Sequence, residues 1–143
     1  HENADIAEMF MRKYWTNMIL QGDDTAWENF DKHGGQGSLS HGWSAAPTYY
    51  MSTQVLGVQL GFPEPDKLTS VTIEPQSESI TWARGVVPHP TGPVAVDWKI
   101  KGDNIFLNYT VAPEVKVTVN PKGKLADKAL WVNGKRIKKS SNE

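Results

Sequence analysis

The spacing of apolar residues changes at about residue 63. Before it, Ile6, Met9, Phe10, Tyr14 and Met18 recur at intervals of three and four, which is the period of a helix. After it, the runs 94–100 and 105–111 alternate apolar and polar residues, which is the period of a strand. Helices therefore come first and strands follow, so the chain predicts an α+β fold rather than a doubly wound one: about two helices, then an antiparallel β-sandwich.

Two helices are expected in the first part. The first spans residues 3–20, with Asn3 as its N-cap and Gly22 as its stop. Apolar side chains nearly encircle this helix, so it needs neighbours on more than one side. The second spans about 42–58 and carries Pro47 near its start, where a missing amide is tolerated. The long glycine-containing loop 21–40 joins them, and a loop of this length is typical of a functional segment.

The Gly/Pro-rich segment 61–65 predicts a domain boundary, which gives two domains, 1–62 and 63–143. In the second domain, residues 101–104 read as a hairpin turn, and Asn133-Gly134 is a strong turn dipeptide. Its strand candidates are 70–75, 79–83, 94–100, 105–111, 115–119 and 130–132.

Composition excludes several classes of function. The chain of 143 residues has no cysteine, which excludes disulfides and thiol chemistry, and its formal net charge is −1, which argues against a nucleic-acid partner. No apolar run approaches the roughly 20 residues that span a bilayer. The four histidines have no recognised ligand spacing and no nucleotide-binding motif is present. We therefore expect no metal, no cofactor, no nucleic acid and no membrane partner.

Candidate chemistry lies in the loop. Residues 22–31 place four carboxylates beside Trp27 and Phe30. Aromatic walls can desolvate a carboxylate, and an indole offers a flat face to a sugar ring. The plainer interpretation is a solvated acidic loop anchored by its aromatic residues. His41, at the start of the second helix, likewise has two interpretations: a group that faces a cleft, or a structural histidine.

Several segments resemble a known family. Thr25-Ala26-Trp27-Glu28, Ser40-His41-Gly42-Trp43-Ser44 and the stretch 80–93 are similar to the C-terminal end of bacterial α-L-rhamnosidases, and the likeness extends over roughly residues 10–135. The resemblance implies the last helices of an (α/α)6 barrel followed by a β-sandwich.

The resemblance also implies roles for individual residues in an inverting hydrolysis of terminal α-L-rhamnosides. Glu28 corresponds to the general base that activates water, and His41 to a histidine that contacts the sugar. Trp27 would support the loop or line the pocket, and Asp24 is a weaker substrate-binding candidate because of its proximity. The inverting arrangement leaves room for a water between two carboxyl groups.

The same resemblance implies that much of the catalytic machinery lies elsewhere. About ten of the twelve barrel helices and the general acid have no counterpart here, so we expect the isolated chain to be inactive. Its partners would be the remainder of the barrel and a rhamnose-containing glycoside, and its exposed helices would favour self-association. Two alternatives stay open: a non-catalytic carbohydrate-binding or interaction module, and a fragment of another (α/α)6 barrel glycosidase.

Overall fold

A computed structural model describes residues 4–30, 37–59 and 69–138. The chain divides into two compact units, His1–Tyr50 and Met51–Glu143. The boundary predicted between residues 62 and 63 lies outside the described residues and stays a prediction. Within the described ranges, no helix is long and apolar enough to cross a membrane.

In the first unit, helix α1 spans Ala4–Leu20. Its predicted stop is confirmed: Gly22 has φ +80°, its amide donates to the carbonyl of Ile19, and the amide of Asp23 donates to the carbonyl of Met18. This pair of bonds is a Schellman motif, which satisfies carbonyls that the last turn leaves open. The predicted N-cap, Asn3, lies outside the described residues.

Helix α1 packs through few of its side chains. Ala4, Glu8 and Met18 are its buried residues. The Trp15 indole donates to the carbonyl of Ser44 at 2.8 Å, which ties α1 to the segment 42–50. A large part of the apolar surface of the helix stays exposed, at Ile6, Met9, Phe10, Ile19 and Leu20.

The second helical stretch differs from its prediction as one helix over 42–58. It consists of a 3-10 turn, Gly42–Ala45, helix α2, Ala46–Tyr50, and a π turn, Met51–Val55, whereas Val58 belongs to a strand. The stretch ends early because Gly57 adopts φ +88°, a conformation that glycine favours. Glycine is also required for space, since a Cβ there would lie 2.2 Å from the backbone nitrogen of Pro75.

The second unit holds two sheets. The three-stranded sheet has the order β1-β2-β6, and the five-stranded sheet has the order β3-β4-β5-β7-β8. A 3-10 turn, Gly123–Leu125, precedes β7. The strands are β1 Val58–Gln59, β2 Ser70–Ile73, β3 Trp82–Val87, β4 Val94–Lys101, β5 Asn104–Thr110, β6 Lys116–Val119, β7 Ala129–Val132 and β8 Lys135–Arg136.

The predicted α+β class is confirmed, but the sheets are not wholly antiparallel. The pairs β2–β6 and β5–β7 are parallel, whereas the other four described pairs are antiparallel. The two strands of each parallel pair are distant along the chain. A long connection lets the second strand run in the same direction as the first, which a tight hairpin cannot do. The two predicted turns are confirmed, since Lys101 pairs with Asn104 and Val132 with Lys135, which leaves two-residue loops.

Alternation along the strands builds the core. Val94, Val96 and Trp98 of β4 are buried, and Ile105 and Leu107 of β5 lie on the same face. The three-stranded sheet and the 3-10 turn contribute further buried residues, Val71, Ile73 and Leu125. The inner faces of both sheets therefore form one apolar interior, as in a β-sandwich.

Candidate active site

The candidate site lies in the first unit, where two segments of the long loop run antiparallel to one another. The Glu28 amide donates to the carbonyl of Ser38 at 2.8 Å, and the His41 amide donates to the carbonyl of Ala26, also at 2.8 Å. The Thr25 hydroxyl donates to the carbonyl of Leu39. These bonds bring the two predicted motifs, 25–28 and 40–44, side by side.

Glu28 is half-buried, and both its backbone and its side chain form hydrogen bonds with Ser38. Besides the backbone bond to Ser38, its Oε2 accepts a hydrogen bond from the Ser38 amide at 2.8 Å. Hydrogen bonds between an amide and a carboxylate are short and directional, so this one restricts the rotation of the side chain. Glu28 is thus an oriented carboxylate rather than a freely moving one.

Gly37 makes this arrangement sterically feasible. A Cβ at that position would lie 2.5 Å from Nδ2 of Asn29 and 3.3 Å from the Cβ of Glu28. The backbone therefore approaches the Glu28 side chain more closely than any larger residue would allow.

His41 and Trp43 form an aromatic pair beside Glu28. Their ring centroids lie 4.2 Å apart with an interplanar angle of 30°. The Trp43 indole N–H also donates to the carbonyl of Glu28 at 3.3 Å. Among the described residues, Nδ1 of His41 is buried without a hydrogen-bond partner, which is unusual for a polar atom in a folded protein.

The other two predicted site residues have different surroundings. Trp27 is only 1% exposed, so its ring lies in the interior of the first unit. Asp24 is exposed, and no hydrogen bond or ion pair joins it to the described residues. The structure brings Glu28, His41 and Trp27 into one region by backbone pairing, while Asp24 precedes that paired region.

Two residues that sequence reasoning did not single out belong to this site. Ser38 orients Glu28 through its backbone amide, for which residue type gives no signal. Trp43 stacks on His41 and is 67% exposed; the signal for it was its place two residues after His41 in the recognised motif. Across the described ranges, no group of three or more His, Asp or Glu side chains is placed to hold a metal ion.

An apolar groove lies elsewhere on the first unit. It has a volume of about 360 Å³ and runs between α1 and the start of α2. Its walls are almost wholly hydrophobic, from Ile6, Ala7, Phe10, Met11, Trp15, Ala46, Pro47 and Tyr50.

The comparisons with known proteins agree with each other. The profile of the family described as "Bacterial alpha-L-rhamnosidase C-terminal domain" matches residues 68–129. A curated alpha-L-rhamnosidase of Formosa agariphila is 28% identical over 90% of this chain, which spans only 15% of that relative.

Two solved structures are also similar. A GH78 family rhamnosidase of Bacillus sp. GL1 has a TM-score of 0.67 and 30% identity over 85% of this chain and 13% of its own. The alpha-L-rhamnosidase from Dictyoglumus thermophilum has a TM-score of 0.60 over 72% of this chain and 12% of its own, and at 21% identity it supports the fold alone.

The helical unit and the sandwich-like unit are therefore similar to the C-terminal part of known glycoside hydrolases. Residues 68–129 carry the likeness to the C-terminal domain of bacterial α-L-rhamnosidases, and this chain, which spans 15% or less of each relative, fits a C-terminal fragment of such an enzyme.

Proposed function

We propose that the chain supplies the general base and the last barrel helices to an enzyme that hydrolyses terminal α-L-rhamnosides with inversion. The observation that carries the proposal is the orientation of the Glu28 carboxylate by the amide of Ser38 at 2.8 Å. A base must be held in a fixed position to accept a proton from a water that attacks one face of the sugar.

In the proposed reaction, the Glu28 carboxylate removes a proton from water as the water oxygen bonds to the anomeric carbon. The bond from that carbon to the aglycone oxygen breaks on the opposite face. A second carboxyl group, contributed by the remainder of the barrel, protonates the leaving oxygen. Two such groups about 6.5–9.5 Å apart leave space for the water and give inversion.

His41 is proposed to hydrogen-bond a hydroxyl of the sugar in the same pocket. Trp43 supports this role, because stacking at 4.2 Å fixes the plane of the imidazole. Trp27 acts beneath the site by holding the loop, and Asp24 remains a weaker candidate for substrate contact.

The remainder of the barrel is the proposed partner of the first unit. Ile19 and Leu20 are 71% and 79% exposed, and the apolar groove along α1 offers further hydrophobic surface. Exposed apolar surface of this extent favours burial against other helices. We expect the isolated chain to be inactive and to self-associate when that partner is absent.

The test uses the full-length enzyme and an aryl α-L-rhamnoside. Because a general base contributes about 10²–10⁴-fold, Glu28→Gln should lower kcat by about that factor while KM changes little. Asp24→Asn is the matched control, since it removes an exposed carboxylate of the same loop, and it should retain most of the activity. Near-normal turnover by the Glu28 variant, with an unchanged fold, would overturn the proposal.

A further inference from the structure

A row of aromatic and basic residues crosses the outer face of the five-stranded sheet. Lys99 pairs with Phe106, Phe106 with Trp131, and Trp131 with Arg136. Directly paired residues of neighbouring strands lie on the same face. In β4 the buried residues are Val94, Val96 and Trp98, so Lys99 projects from the opposite, outer face.

A cleft opens on this face. It has a volume of about 330 Å³, within the range of ligand-sized pockets, and is lined by Lys99, Lys101, Phe106, Leu107, Asn108, Trp131 and Gly134. The rings of Phe106 and Trp131 lie 5.8 Å apart and nearly parallel. The indole N–H of Trp131 donates to Oδ1 of Asn104 at 3.0 Å, so the aromatic wall is held in one orientation.

The cleft carries uncompensated positive charge. Lys99, Lys101 and Arg136 form no ion pair with any carboxylate in the part of the chain that the structure describes. Asp97, an acidic residue on the same face, already pairs with Arg84 at 3.3 Å. An anionic ligand would therefore meet cations without having to displace an existing partner.

We propose that this cleft binds an anionic glycan, a carboxylated or sulfated oligosaccharide. The apolar face of a sugar ring would contact the aromatic wall of Phe106 and Trp131. Lys99 and Lys101 would bind the carboxylate or sulfate oxygens through charge-assisted hydrogen bonds, and Asn108 offers an amide for a hydroxyl.

The residues that line this cleft all belong to the second unit, whereas Glu28 belongs to the first, and the proposal does not depend on the proposed hydrolysis. A glycan is favoured over a nucleic acid because the chain as a whole has a net charge of −1, whereas domains that bind nucleic acids are typically basic.

Isothermal titration calorimetry of the 143-residue chain tests the proposal, with oligogalacturonate as the carboxylated probe and dextran sulfate as the sulfated one. We expect binding to at least one of them, and the one that binds identifies the anion. Fully methyl-esterified oligogalacturonate and unsulfated dextran should bind about tenfold more weakly or not at all, because the charge is gone. Raising the salt from about 50 to about 500 mM should also weaken the binding.

Variants locate the binding. Lys99→Ala combined with Lys101→Ala alters only exposed side chains and should weaken binding about tenfold or more. The matched control, Arg12→Ala with Lys116→Ala, removes two exposed cations elsewhere and should stay within about twofold of the unmodified chain. Failure of the unmodified chain to bind either anionic probe would overturn the proposal. So would an equal loss in the control variant, or tighter binding of a polydeoxythymidine strand at the same salt.

Discussion

Glu28 and Ser38 are joined by two hydrogen bonds: the amide of each residue donates to an oxygen of the other, in both cases at 2.8 Å. The first bond pairs the backbones and the second holds the carboxylate. The two positions lie ten residues apart in the chain. The orientation of the proposed base therefore depends on how this loop closes.

Gly37→Ala should disturb that closure. The added Cβ would lie 2.5 Å from Nδ2 of Asn29, the end of an exposed side chain that can move away, and 3.3 Å from the Cβ of Glu28, which must shift by a few tenths of an ångström. A displacement of about 1 Å at a reacting group can cost about 10²-fold, so for this smaller shift we expect kcat of the full-length enzyme to fall about three- to tenfold. Gly42→Ala, where nothing lies within 4 Å of the new Cβ, is the control and should keep near-normal turnover. Equal activities of the two variants would contradict this account of the loop.

Gly57→Ala should strongly destabilise the second unit. The residue has φ +88°, and its Cβ would meet the backbone of Glu74 and Pro75 at 2.2–2.6 Å. We expect a loss of about 2–5 kcal/mol, from the left-handed conformation and the overpacking together. Urea denaturation followed by circular dichroism measures the loss. Gly134→Ala shares the positive φ but has open space around it, so its smaller cost isolates the steric part.

Trp98→Phe should lower the free energy of unfolding, because it removes a buried hydrogen bond of the sandwich. Trp98 is fully buried, and its indole N–H donates to the carbonyl of Val55 at 2.9 Å. The substitution leaves that carbonyl unpaired and creates a small cavity, so we expect a loss of about 2–3 kcal/mol in the free energy of unfolding. Trp82→Phe, at a position 65% exposed, should change stability by less than about 0.5 kcal/mol. Similar losses in both variants would argue against the core described above.

The surroundings of Tyr50 predict that the stability of the fold decreases at alkaline pH. Its hydroxyl donates to the carbonyl of Ala4 at 3.3 Å, and burial, followed by the negative charges of Glu8 and Asp5, raises the pKa of Tyr50 above its usual value of 10.0. A raised pKa in the folded state stabilises the fold below pH 10, and that contribution is lost as the pH rises through the folded-state pKa.

Tyr50→Phe should therefore cost about 0.5–1.5 kcal/mol near neutral pH, through the lost hydrogen bond. The variant should also lose less stability than the unmodified chain between neutral pH and pH values above 10. Urea denaturation at a series of pH values provides the measurement. An unchanged alkaline dependence would mean that Tyr50 does not contribute to it.

Local signals predicted a large part of this fold. The strand period located β4 and β5, and Gly22 and Asn133-Gly134 carried the turn chemistry that the structure confirms. The second helical stretch was mispredicted beyond Val55, because the contact of Gly57 with Pro75 joins segments that are distant in sequence. The parallel pairing of β5 with β7 was also not predicted. Hydrophobic alternation indicates which face of a strand is buried, but it does not indicate which strand lies next to it.

Glu28 and His41 of the candidate site were predicted from the sequence, but the contacts that position them were not. Glu28 and His41 came from a motif resemblance, whereas the contact that orients Glu28 comes from the backbone of Ser38, which any residue except proline could provide. The stacking of Trp43 on His41 likewise depends on the 3-10 turn that begins at Gly42. Side-chain chemistry could be recognised from the sequence, but the geometry that positions it could not.

The central claim, that Glu28 is the base of an inverting hydrolysis, is tested most directly by chemical rescue. In the full-length enzyme, Glu28→Ala opens the space normally used by the base and its water, and azide needs no proton removal to attack the anomeric carbon. With an aryl α-L-rhamnoside, we expect azide to restore much of a rate loss of about 10²–10⁴-fold and to yield β-L-rhamnosyl azide, identified by proton NMR. An α-configured azide product, or a Glu28→Ala enzyme that hydrolyses the substrate normally without azide, would contradict the claim.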